Sequence, residues 1–155
     1  MSRILAIDYG SKRTGLATTD PLELIASGLK TVATEELMVF LEYYLPREEI
    51  HAVVVGEPKL WNNEPSLIEK DIQKFIKKFR VRFPDIYLDR VDERFTSKVA
   101  QYAMIGGGLK KKARQNKALI DKISAVLILQ SYLDKKKMYD FTNHYVWGPC
   151  IEKKM

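Results

Sequence analysis

A continuous apolar run in the middle of the chain, Ala52-Val53-Val54-Val55-Gly56, constrains the fold more than any other stretch. β-Branched runs without polar alternation are typical of strands that are covered on both faces of a sheet. Segments with helical periodicity stand on either side of it, around residues 34–46 and 65–83. A buried strand between two amphipathic helices predicts an α/β domain in which this run forms a central strand.

Four further segments are short, β-prone and bounded by turn residues: 3–8, 14–19, 29–32 and 86–91. The first three follow one another closely, which predicts an antiparallel meander. The later strands alternate with helices, which predicts parallel pairing. We therefore expect a central mixed five-stranded sheet with helices on both faces.

The helix boundaries follow from caps and breakers. We expect a first helix that is capped by Thr34 and closed by Pro46. A second helix should open at Pro65 or Ser66, carry an apolar stripe from Leu67 and break at Phe83-Pro84. A third should start at Thr96 or Ser97, and a last helix should cover 115–133. Residues 1–137 are predicted to form one domain, and 138–155 a tail without periodicity.

Composition limits the class of protein. The chain has 155 residues, and 46% of them are hydrophobic, which suffices for one core without disulfides. A formal charge of +6 favours a polyanionic partner. The lone Cys150 and the absence of zinc-ligand spacing indicate a reducing compartment. No segment is long enough to span a membrane, and no signal sequence is recognised, so we expect a soluble cytoplasmic protein.

Three acids stand at the ends of predicted elements: Asp8 after the first strand, Glu93 after the last strand, and Asp121 early in the last helix. Functional groups collect beyond the carboxyl ends of parallel strands, which places Asp8 and Glu93 at one edge. Asp121 is followed on its helix face by the small residues Ser124 and Ala125, which would let that helix approach the sheet closely.

Clustered carboxylates without histidine or cysteine suit Mg²⁺ or Mn²⁺. Two such ions about 3.5 to 4 Å apart can activate a water and stabilise the leaving oxygen of a phosphodiester. Each acid alone also has an ordinary structural explanation. Asp8 can form an Asx turn, Glu93 can pair with a neighbouring arginine, and Asp121 can pair with a lysine of its own helix.

Basic residues form two groups. Lys12 and Arg13 follow Gly10 and can contact a phosphate backbone, or merely complete a polar turn. The second group follows the glycine triplet 106–108 and can grip a nucleic-acid strand, or form a solvated loop; its members are Lys110, Lys111, Lys112, Arg114 and Lys117. Thr96 and Ser97 are better explained as helix caps than as nucleophiles, because no histidine lies near them in sequence.

Four stretches go beyond generic patterns: 8–17 (DYGSKRTGLA), 54–58 (VVGEP), 92–97 (DERFTS) and 121–130 (DKISAVLILQ). In this order they resemble the motifs of the YqgF/RuvX family. From Asp8 to the expected end of the last helix at Leu133, the resemblance covers most of the chain.

The resemblance implies a ribonuclease H-like fold related to the RuvC resolvases. It implies a nuclease that processes the 5′ end of pre-16S ribosomal RNA, although an older label of the family is Holliday junction resolvase. By residue, it implies that Asp8, Glu93 and Asp121 bind the metal. Lys12, Arg13 and Arg94 become candidates for phosphate contact.

Two departures from the family pattern stand out. Glu57 occupies the place of a hydrophobic residue, and Trp61-Asn62-Asn63-Glu64 replaces a loop that typically contains glycine. RuvC-type resolvases carry an acid near the position of Glu57, so this residue is a possible additional metal ligand. The alternative is a solvated loop acid.

We therefore expect a divalent-metal-dependent endonuclease, with structured RNA as the favoured substrate and two bound ions. One alternative is a resolvase of branched DNA, which would need a dimer; the sequence leaves monomer and homodimer open. Another is a catalytically silent nucleic-acid-binding module, which the retention of all three acids disfavours. An actin-like or sugar-kinase-like nucleotide binder would need two lobes, for which the chain is too short.

Overall fold

The computed structural model describes residues 2–60, 62, 64–92 and 117–141. Five strands form one sheet: β1 (Arg3–Asp8), β2 (Arg13–Thr19), β3 (Ala26–Ala33), β4 (Ile50–Glu57) and β5 (Tyr87–Asp92). Their spatial order is β3-β2-β1-β4-β5. β1 pairs antiparallel with β2, and β2 with β3, whereas β4 pairs parallel with both β1 and β5. The predicted mixed sheet is confirmed.

Helices cover both faces of this sheet. A 3-10 turn (Thr34–Glu36) leads into α1 (Leu37–Arg47), and α2 (Glu69–Arg82) packs on the same face. α3 (Lys117–Phe141) packs on the opposite face. None of the described helices is long and apolar enough to cross a membrane.

The core is divided in two by the sheet, and strand alternation decides which half a side chain joins. In β1, Leu5 and Ile7 join the cluster under α1 and α2, whereas Ile4 and Ala6 join the cluster under α3. The α3 cluster is completed chiefly by Ala17, Ala52, Val54, Val91, Ala125, Ile128, Leu129 and Leu133. Odd-numbered and even-numbered residues of β1 therefore face opposite sides of the sheet.

The first helix differs from its prediction at both ends. The Thr34 side chain makes no cap; its hydroxyl donates to the Gly10 carbonyl oxygen over 2.6 Å, and the α-helix begins three residues later. Pro46 lies inside the helix, which ends at Arg47. Pro46 has no N–H to donate to the Glu42 carbonyl oxygen, so the last turn of the helix lacks this hydrogen bond.

The second helix begins later than predicted. Glu69 is its first residue, and the Glu69 N–H donates to the Ser66 carbonyl oxygen within a preceding turn. Leu67 in that turn is 97% exposed, so it does not belong to the buried stripe.

The last helix ends later than predicted. α3 continues to Phe141, past the expected end at Leu133 and across the proposed boundary at residue 137. The exposed polar residues 134–137 extend it without burying an apolar face, so hydrophobic periodicity could not reveal this part. The predicted third helix, the glycine triplet and residues 142–155 of the tail lie outside the described residues.

Candidate active site

Asp8 is the last residue of β1 and lies opposite Gly15 of β2. Alternation puts its side chain on the same face as Ile4 and Ala6, toward α3. Directly paired residues of antiparallel strands have Cβ positions roughly 4.5 to 5.5 Å apart. The carboxylate of Asp8 therefore stands beside the position of Gly15, under α3.

α3 crosses the sheet at Gly15. A Cβ atom on Gly15 would collide with the backbone oxygen of Asp121, which no side chain tolerates. One turn further along α3, Ser124 and Ala125 are buried against the sheet, as their small size predicts. Asp8 of β1 and the backbone of Asp121 in α3 therefore both adjoin Gly15.

Arg13 joins the acids from β2. Its Nε donates to Oδ2 of Asp121 over 3.1 Å, with 41% of the arginine side chain and 25% of the aspartate side chain exposed. Asp121 therefore pairs with a side chain of β2. A cation on Arg13 offsets the repulsion between neighbouring carboxylates and is accessible to solvent.

The turn between β1 and β2 is held by Thr34. Besides its bond to Gly10, the hydroxyl of Thr34 lies 2.9 Å from Oγ1 of Thr14, and its N–H donates to the Lys12 carbonyl oxygen over 3.0 Å. The exposed side chain of Lys12 thus sits on a turn of defined shape. Sequence reasoning missed this role, because a threonine before two glutamates predicts a helix cap.

Glu57 faces the other side of the sheet. It follows Val53 and Val55 in the alternation of β4, on the α1 and α2 face. Its carboxylate lies 3.2 Å from Nζ of Lys59 and 3.9 Å from Nη1 of Arg90. The structure does not bring Glu57 together with Asp8 and Asp121.

Arg90 ties three elements together behind the site. Its guanidinium donates to both carboxylate oxygens of Glu69 on α2, over 3.0 and 2.8 Å. It also donates to the Val55 and Gly56 carbonyl oxygens at the end of β4. The bonds from Arg90 hold the pKa of Glu69 below its ordinary value against the opposing effect of burial.

The third predicted acid, Glu93, follows directly after β5 and lies outside the described residues, as do Arg94, Lys110, Lys111, Lys112 and Arg114. Lys117 is the first residue of α3, and its side chain is not described.

Within the described part of the chain, no three acid, histidine or cysteine side chains form a metal-binding group. Asp8 and Asp121 are oxygen donors of the kind that Mg²⁺ and Mn²⁺ prefer.

Comparison with known proteins decides the family. A family profile described as "RuvX: Holliday junction resolvase" matches residues 2–135. This chain belongs to the RuvX family. The prediction made from the four sequence motifs is confirmed.

The RuvX relatives include a protein of Flavobacterium psychrophilum, 57% identical over 136 residues, which are 88% of this chain and 99% of the relative. A protein of Christiangramia forsetii is 58% identical over 133 residues, 86% of this chain and 98% of the relative. Both carry the name "Putative pre-16S rRNA nuclease".

Among solved structures, this RuvX chain is similar to Thermus thermophilus RuvC in complex with a Holliday junction substrate. The TM-score is 0.55 and the identity 17%, with 88% of this chain and 96% of that chain covered. At this identity the likeness concerns the fold alone. It confirms the predicted ribonuclease H-like fold.

Proposed function

We propose that this RuvX protein is a divalent-metal-dependent endonuclease that hydrolyses phosphodiesters and processes the 5′ end of pre-16S ribosomal RNA. The observation that carries the proposal is that Asp8 pairs with Gly15, while α3 crosses the sheet at the same glycine with the backbone of Asp121. The names of the relatives, which specify a nuclease and an RNA, support the same hydrolase class and substrate. A cytoplasmic location, and a monomer or homodimer as the working unit, belong to this proposal.

The site fits Mg²⁺ or Mn²⁺, because its donors are carboxylate oxygens from Asp8 and Asp121, with Glu93 as the third ligand that we propose. Two bound ions would supply activation of the attacking water and stabilisation of the leaving oxygen. Two neighbouring carboxylates on one face of a sheet repel each other unless cations balance them. Arg13 provides part of that balance through its bond to Asp121.

The protein's own cations bind and orient the substrate in this account. Arg13 is half-exposed beside the acids, and a guanidinium matches the geometry of a phosphate group. Lys12 stands on the turn fixed by Thr34, at the same edge. We propose that Arg94 and the basic group of Lys110, Lys111, Lys112, Arg114 and Lys117 extend this contact along the nucleic-acid backbone.

A cleavage assay tests the proposal. Wild type is incubated with a pre-16S RNA leader and with a four-way DNA junction, in Mg²⁺ and in EDTA. We expect cleavage of the RNA in Mg²⁺ alone, with a loss of at least about a hundredfold in Asp8→Asn, because one preorganised electrostatic contact typically contributes that much. Asp85→Asn is the matched control, since Asp85 is an exposed acid before β5, at the opposite end of the sheet.

Cleavage that survives Asp8→Asn would reject this active site. Cleavage of the junction but not of the RNA would favour the resolvase, which is the activity named in the family description. Binding without cleavage of either substrate would favour the silent module. Glu57→Gln is expected to keep the wild-type rate, because Glu57 pairs with Lys59 on the other face; a large loss would instead support its role as a further ligand.

A further inference from the structure

A cavity of about 380 Å³ opens beside the candidate active site, on the α1 and α2 face of the sheet. Its wall combines Tyr9 with the beginning of α1 and the first three turns of α2. This volume lies within the usual range of small-ligand sites, roughly 300 to 1,000 Å³. Neither the acids nor the basic residues considered so far account for it.

Tyr9 forms the wall nearest to the acids. It follows Asp8 directly, and its ring packs against Phe75 with the ring centroids 5.4 Å apart and the planes inclined by 36°. The cavity therefore has a fixed aromatic surface.

α2 supplies most of the charged rim, and Glu35 of the 3-10 turn before α1 adds a second acid. Asp71, Lys74 and Lys78 line the cavity at helical spacing with Phe75, and all three charged side chains are exposed. Lysines suit phosphate groups, whereas a carboxylate accepts hydrogen bonds from the amino edge of a base. An aromatic wall with these charges fits one nucleotide better than a purely apolar or purely anionic ligand.

We propose that this cavity binds the base of an unpaired nucleotide next to the phosphate that is cleaved, so that the substrate is single-stranded at the site. The proposal rests on the nuclease function proposed above. Adjacent Cα atoms are about 3.8 Å apart, and Asp8 and Tyr9 direct their side chains to opposite faces of the same sheet edge. A strand that crosses this edge presents its phosphate to Asp8 and its neighbouring base to Tyr9.

Single-stranded RNA is the occupant that this chemistry favours. Unpaired bases are recognised by stacking on aromatic side chains and by hydrogen bonds to their edges. A base within a duplex is stacked and paired, so it cannot enter a cavity of this size. Duplex affinity should therefore depend on the surrounding cations and not on Tyr9.

The test measures the binding of a fluorescent 12-nucleotide single-stranded RNA, and of the same RNA annealed to its complement, by anisotropy in EDTA. We expect Tyr9→Leu to weaken single-strand binding roughly fivefold or more, the effect of losing one stacked base, and to leave duplex binding unchanged. Tyr9→Phe retains the ring and should stay within about twofold of wild type. Tyr43→Leu is the control, because Tyr43 is exposed on α1 outside the cavity.

A second pair of variants keeps the test valid if Tyr9→Leu fails to fold. Lys74→Gln/Lys78→Gln removes two exposed lysines of the rim, and Lys70→Gln/Lys77→Gln removes the same charge from α2 outside the cavity. We expect only Lys74→Gln/Lys78→Gln to reduce the salt dependence of single-strand binding. The slope of the logarithm of the binding constant against the logarithm of the salt concentration should fall in magnitude by about 0.7 for each phosphate that is no longer neutralised.

The proposal is overturned if wild type does not bind the single strand, if Tyr9→Leu binds it as wild type does, or if the two lysine pairs behave alike. Cleavage distinguishes this failure from failure of the proposed function. If RNA is still cut in an Asp8-dependent manner, only the base cavity is wrong. If nothing is cut while Tyr9 remains selective for the single strand, only the nuclease activity is wrong.

Discussion

At Gly15 the backbone of α3 comes closer to the sheet than any side chain at this position would permit. A hydrogen atom in place of a Cβ lets the carbonyl of Asp121 rest on β2 at Gly15, the residue that pairs with Asp8. The candidate site therefore depends on Gly15 as well as on its polar groups, because only a residue without a side chain allows α3 to pack this closely.

Gly15→Ala tests this contact. Because the new methyl group would meet backbone atoms, which cannot rotate away, α3 must shift, and we expect a loss of about 1 to 3 kcal/mol in the free energy of unfolding together with reduced cleavage. Urea denaturation measures the first quantity. Gly28→Ala is the matched control, since its Cβ would meet the flexible side chain of Lys122. Equal losses in both variants would contradict the account.

At the scale of elements, Arg90 and Glu69 connect the ends of two strands to a helix. Both side chains are largely buried, at 18% and 14% exposure, and the guanidinium also satisfies two carbonyl oxygens of β4. This arrangement fixes α2 relative to β4 and β5. It thereby supports one wall of the base cavity and the strand that leads into Glu93.

Glu69→Gln should destabilise the fold in a pH-dependent way. The pKa of Glu69 is lowered in the folded state, so its ionised form contributes stability above the ordinary glutamate pKa of about 4.3, and this contribution disappears as the pH falls through the folded value. We expect the variant to lose about 1 to 2 kcal/mol at pH 7. Unfolding curves of both proteins at pH 7 and near pH 3 check this; a difference in unfolding free energy as large near pH 3 as at pH 7 would contradict it.

The elements were largely predictable because their apolar patterns are strong. All five strands follow from apolar or β-prone segments, and α2 follows from the buried stripe that includes Ile72, Phe75 and Phe79. One failure depended on a contact distant in sequence, because the hydroxyl of Thr34 donates to the Gly10 carbonyl oxygen, 24 residues away. The other did not, because α3 continues past Leu133 through the exposed polar residues 134–137.

For the whole molecule, sequence could name the acids but could not show that Asp8 and Asp121 adjoin the same glycine. The two acids are 113 residues apart, and the packing of α3 on the sheet brings the backbone of Asp121 to Gly15, the partner of Asp8. Alternation along β4 puts Glu57 on the other face of the sheet, in line with Val53 and Val55. Family, fold and nuclease class were foreseeable from the motifs, whereas the base cavity depends on neighbours brought together by α1 and α2.

The most direct test of the central claim is the affinity for Mn²⁺, measured by titration calorimetry on wild type, Asp8→Asn and Asp85→Asn. Loss of a residue that merely supports a ligand typically weakens metal binding 10- to 100-fold, so we expect Asp8→Asn to lose at least about tenfold. Asp85→Asn should bind as wild type does. Equal Mn²⁺ affinity in wild type and Asp8→Asn would contradict the assignment of this metal site.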